Sequence, residues 1–97
     1  MNIELKKFGT TLTSRQSGKE ALAAIQPSFK SVSEKEDIMV DFAGVVTFSP
    51  SWGDEFITPL YERYGDRLIL KNTANSSVQA TLRLLGGIIK TQFREID

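Results

Sequence analysis

The sequence predicts an α/β domain with a small, mostly parallel sheet and about three helices. Two short apolar runs, Asp37–Phe42 (DIMVDF) and Arg67–Lys71 (RLILK), have the length and composition of strands. Between and after them, apolar residues recur at helical spacing, as with Phe56, Leu60 and Tyr64 or Val78, Leu82, Leu85 and Ile89. Strands that alternate with helices imply parallel pairing through right-handed crossovers.

Taken in order, residues 2–8 (NIELKKF) alternate apolar and polar, with Ile3 and Leu5 on one side, the period of a half-buried strand. Gly9 to Gly18 is rich in Gly, Ser and Thr and reads as a loop, with room for a short hairpin strand around Thr11–Thr13. Ser17-Gly18-Lys19-Glu20 fits a capping box, so a helix is expected over residues 18–26. Pro27 then forces a kink or a separate turn. The run DIMVDF reads as a central parallel strand buried on both faces. A helix follows over residues 50–64, bent at Pro59 and stopped by Gly65. After the RLILK strand and a polar loop, Ser76-Ser77-Val78-Gln79 fits another capping box. The helical pattern continues through Phe93 and Ile96, which predicts a last helix running through Gly86-Gly87 to the end of the chain.

Composition narrows the function. A chain of 97 residues is one domain over residues 1–97, able to bury roughly two-thirds of its unfolded surface. Lys plus Arg and Asp plus Glu number 12 each. No basic excess supplies the electrostatic attraction that nucleic-acid binding needs. Cysteine and histidine are both absent. That removes thiolate chemistry, zinc–cysteine sites and the commonest general base near neutral pH. No apolar run is long enough to span a membrane. The expectation is a cytoplasmic protein that uses no cofactor and binds neither nucleic acid nor membrane.

The most informative stretch is Asp41–Phe56 (DFAGVVTFSPSWGDEF). A buried strand ends, Gly44 permits a turn, and Ser49 precedes Pro50, the residue favoured at the first helical position. Ser51-Trp52-Gly53-Asp54 offers a second cap, and Asp54 and Glu55 lie where the helix dipole favours negative charge. Two serines and a tryptophan therefore sit at the carboxyl end of a central strand, where open parallel sheets bind ligands and partners. Each has two readings: Ser49 and Ser51 as caps or modified hydroxyls, Trp52 as core or exposed anchor, Asp54 and Glu55 as dipole-matching or functional charges. Adjacent residues point about 100° apart around a helix, so Asp54 and Glu55 form no acid–base pair by themselves. No histidine stands ready to activate Ser51, which argues against an enzyme.

This stretch resembles the STAS domains (sulfate transporter and anti-sigma factor antagonist), and more closely a bacterial STAS-like family of unknown function. The resemblance rests on IMVDFAGV followed by Ser51-Trp52-Gly53-Asp54-Glu55-Phe56, with an N-terminal loop like FGTTLTSRQSG and a later Lys71-Asn72, and it covers about residues 1–85. It implies a non-catalytic regulatory module. In the STAS antagonists a serine at the start of the helix after the central strand is phosphorylated and decides binding to a Bergerat-type ATPase/kinase, and the resemblance implies the same kind of switch here. Ser51 is then the first candidate and Ser49 the second. The usual Asp-Ser-Ser-Gly is here Ser49-Pro50-Ser51-Trp52, and an ungapped count from Asp41 puts Pro50 at the phosphoserine position. Trp52, Asp54, Glu55, Arg15 and Asn72 are the residues expected to meet the partner. A different class of function, a small-ligand or nucleotide sensor at the Gly44–Gly53 turn, is the alternative, although the chain has neither G-x-x-x-x-G-K-[ST] nor G-x-G-x-x-G. The apolar C-terminal residues Ile88, Ile89, Phe93 and Ile96 either pack on the sheet or join two copies into a homodimer.

Overall fold

A computed structural model describes residues 1–96. The order is β1 (Asn2–Glu4), a 3-10 turn (Leu5–Phe8), β2 (Thr11–Leu12), α1 (Arg15–Ile25), a 3-10 stretch (Gln26–Ser31), β3 (Ile38–Asp41), β4 (Thr47–Phe48), α2 (Pro50–Tyr64), a 3-10 turn (Gly65–Arg67), β5 (Leu68–Lys71), α3 (Ser76–Ile89) and β6 (Arg94–Ile96). The fold is mixed α/β with three α-helices among the described residues, as the alternation predicts.

The main sheet has the order β1-β3-β5-β6, and every pairing in it is parallel. Strands added always on the same side by right-handed crossovers place all three helices on one face of the sheet. Burial agrees. Ile3, Ile38, Val40, Leu68 and Leu70 belong to the core shared with the helices, whereas Met39 and Asp41 are only half-buried. The expectation that β3 is buried on both faces is therefore corrected: one face of this central strand has no helix over it.

The rest of the departures concern chain that pairs or caps non-locally. The first strand stops at Glu4, because a 3-10 turn brings Leu5 and Phe8 together onto the core. β2 forms no hairpin with it. It pairs in parallel with β4, and the Thr10 carbonyl accepts from the Val46 and Thr47 amides. α1 begins at Arg15, three residues before the expected start, because Ser14 is the cap and accepts from the Ser17 amide at 3.0 Å. α3 is capped by Asn75, whose side chain accepts from the Ser77 and Val78 amides. Ser77 is engaged elsewhere, accepting from the Phe48 amide at 3.0 Å.

The largest correction is at the C-terminal end. α3 runs through both glycines but stops at Ile89, where Lys90 turns left-handed (φ 58°) and the Thr91 amide donates to the Gly86 carbonyl. That is a helix-ending motif usually built on glycine or asparagine. Phe93, in phase with the helix by sequence, instead folds back beside Gly86, and β6 pairs with β5. Residue 97, the last of the expected helix, lies outside the described residues. Among the described residues no helix is long and apolar enough to cross a membrane.

Candidate functional site

The strand-to-helix turn at the carboxyl end of β3 positions most of the residues singled out by sequence. Ser49 is the cap of α2. Its hydroxyl accepts from the Trp52 amide at 3.2 Å and donates to the Thr13 carbonyl at 2.7 Å, while its own amide donates to Leu12. One residue thus starts α2 and fastens it to β2. Ser51, at the second helical position, is half-buried and takes no such cap role. Ser49→Ala is expected to cost about 1 kcal/mol in urea unfolding, the usual worth of such a cap, and Ser51→Ala less than about 0.5 kcal/mol. Equal losses would show that the cap is shared.

Trp52 is 1% exposed. Its ring stacks on Phe56 at 4.8 Å, with Phe48 at 5.8 Å and Phe8 at 6.3 Å. The structure therefore places the indole in the core and not on the surface as an exposed anchor.

Asp54 and Glu55 are brought together by a group from another helix. Arg15, the first residue of α1, donates through Nη1 to Asp54 at 3.0 Å and to Glu55 at 2.7 Å. The guanidinium bridges the divergence between the two carboxylates. Its pKa is raised by the hydrogen bonds, that to Glu55 first and that to Asp54 next. Arg15 and Asp54 are about half-exposed, so this ion cluster is both a strap between helices and a surface. Exposed pairs of this kind contribute little stability.

Asn72 sits apart from that cluster. It adopts a left-handed conformation (φ 58°) after β5 and donates to Asp41 at 2.8 Å. Asp41 also accepts from the Ala43 amide at 2.9 Å. Its pKa is lowered, chiefly by the Asn72 hydrogen bond and, against the penalty of burial, by the Ala43 amide and the charges of Lys71 and Lys6. Asn72 thus ties the carboxyl ends of β3 and β5 together.

Two features of the site lie outside the partner-binding residues the sequence points to, although Ile88 is among the apolar C-terminal residues it singles out. Asn75 caps α3 and also donates to the carbonyls of Val45 and Val46, and buried Thr81 donates to Phe48 at 2.6 Å, so the start of α3 holds β4 in place. The second is an apolar pair, Leu84 and Ile88, 50% and 65% exposed. A Cβ on Gly53 would lie 2.8 Å from Leu85, so α3 crosses the first turn of α2 there. Leu84 and Ile88 lie about 100° and 60° around the helix from Leu85, both on the same side, which sets them beyond Thr81 and Leu85 and away from β6.

The family model for the STAS-like domain of unknown function (DUF4325) matches residues 17–78, from α1 to the start of α3. The chain belongs to this family. The match contains the β3–β4–α2 turn, the Asp54–Glu55 pair and Asn72, whereas Arg15, Leu84, Ile88 and β6 lie outside it. No curated protein and no solved structure matches the chain.

Proposed function

We propose that this domain is a non-catalytic regulatory module of the bacterial cytoplasm that docks on a partner protein, a Bergerat-type ATPase/kinase or a similar anti-sigma-like regulator in a partner-switch system. The observation that carries the reading is the exposed Leu84–Ile88 pair on the flank of α3, beside the first turn of α2. Asp54, the residue after the Gly53 that meets Leu85, begins the Arg15–Asp54–Glu55 cluster, which adds partly exposed charge. An apolar centre with a polar margin is the usual anatomy of a protein interface. The groups that would do chemistry have structural employment: Ser49 caps a helix, and Asp54 and Glu55 hold Arg15. Ser51 is the better switch candidate of the two serines, because its hydroxyl is not spent on the cap and it stands at a helix start, where a phosphate is electrostatically favoured.

The test is calorimetry between this protein and the ATPase encoded nearest to its gene. The wild-type chain is expected to bind. The double variant Leu84→Glu with Ile88→Glu is expected to weaken binding by at least about tenfold, the scale for losing a central apolar contact, with an unchanged melting temperature because both side chains are exposed. No binding of the wild-type chain to that or any other Bergerat-fold protein would sink the proposal.

A further inference from the structure

β6 is unlike the other strands of its sheet. In β1, β3 and β5 the side chains facing the helices are Ile3, Ile38, Val40, Leu68 and Leu70, all buried and apolar. The β6 residue in the same row, opposite Leu70, is Glu95, and all three residues of β6 are exposed. A few specific contacts hold the segment. Phe93 is buried, edge-on to Tyr61 at 5.7 Å, in a notch that exists because residue 86 is glycine. Thr91 donates to the Tyr61 hydroxyl at 2.8 Å. Glu95 accepts from Thr73 at 2.6 Å and from Gln79 at 2.9 Å. Arg94 donates to the Asp66 carbonyl at 3.1 Å. Surface clefts of about 370 and 420 Å³, open to solvent and both lined by Gln79 and Glu95, flank this clasp. The chain enters the segment through Lys90, a non-glycine residue in a left-handed conformation.

We propose that residues 91–96 exchange between two copies of this chain, so that the β6 of each pairs with β5 of its partner. The groove names its occupant. It is cut for an aromatic anchor, a carboxylate two residues later and a parallel strand in one register, and a second copy supplies all three. The anchor, clasp and strand pairing are the same within one chain or between two. The balance is then set by concentration and by the hinge, where opening relieves the left-handed Lys90. The proposal is independent of the docking reading, because Leu84 and Ile88 lie on the other flank of α3 from β6.

The absence of cysteine makes a clean test available. Lys71 and Ile96 are register partners on β5 and β6. Adjacent strands lie about 4.8 Å apart, within disulfide range. The variant Lys71→Cys with Ile96→Cys is warmed briefly at high concentration, separated by gel filtration, oxidised and run on a non-reducing gel. The dimer fraction is expected to give disulfide-linked dimers, and the monomer fraction internal disulfides. On the otherwise unaltered chain, Lys90→Gly is expected to lower the dimerisation constant roughly tenfold, since glycine relieves the strain of the closed hinge. A dimer fraction containing only internal disulfides would show surface association and overturn the proposal. So would the absence of any dimer from the unaltered chain across the concentration range, or an unchanged dimerisation constant for Lys90→Gly.

Discussion

Trp52→Ala is expected to destabilise the protein by about 3–5 kcal/mol, the range for emptying a buried tryptophan site. The ring is 1% exposed and stacks on Phe56, with Phe48 and Phe8 against its other sides. These aromatics come from the first 3-10 turn, β4 and α2, so the cavity would open between elements remote in sequence. In a domain of this size each 1 kcal/mol lowers the melting temperature by about 4–8 °C, and the total stability is on the order of 5–15 kcal/mol. The variant is therefore expected to melt about 12–40 °C lower, or to be partly unfolded at room temperature. Thermal unfolding followed by circular dichroism measures this. Trp52→Phe retains most of the stacking area and is expected to lose less than half as much. If Trp52 were a surface anchor, Trp52→Ala would leave the melting temperature nearly unchanged, so a loss below about 1 kcal/mol would return the indole to the interface.

The same residue shows why some of the site is legible in the sequence and some is not. α2 is readable because its signals are local: Ser49 before Pro50, an apolar period of about 3.6 residues and a glycine at the end. β3 and β5 are readable as short bounded apolar runs. Burial of Trp52 is not, because its walls are Phe8 and Phe48, which reach it only through the tertiary fold. Arg15 meets carboxylates 39 and 40 residues away, which no spacing rule reports. β2 and β4 join loops that neither contains the other's pattern, so the small second sheet has no local signature. The α1 start is misplaced for another reason: the capping box points to Ser17, whereas the chain leaves β2 so that Ser14 takes the cap. β6 misleads actively, because Phe93 and Ile96 continue the period of α3. The turn back rests on Lys90, which takes the left-handed conformation without being the usual glycine or asparagine, and on Gly86, which leaves room for the Thr91 carbonyl, so the sequence carries no ordinary stop signal there.

A single substitution type, glycine to alanine inside a helix, is expected to change sign with position, and Gly18 shows the larger effect. By propensity alone the change stabilises a helix by about 1 kcal/mol. Gly87 faces open space, so Gly87→Ala is expected to gain most of that. At Gly18 a Cβ would stand 2.8 Å from the Trp52 carbonyl oxygen and 3.2 Å from the Trp52 Cα. Both are backbone atoms of α2 and cannot rotate away, so α1 and α2 must separate. Overpacking of this kind costs about 1–3 kcal/mol and outweighs the propensity gain. The separation also draws Arg15 off Asp54 and Glu55, because Gly18 lies three residues along the same helix from Arg15. Gly18→Ala is thus expected to lower stability in urea unfolding and to weaken binding of the docking partner, whereas Gly87→Ala raises stability. A stabilised Gly18→Ala would mean that the two helices do not approach this closely, and the Arg15 bridge would lose its geometric basis with them.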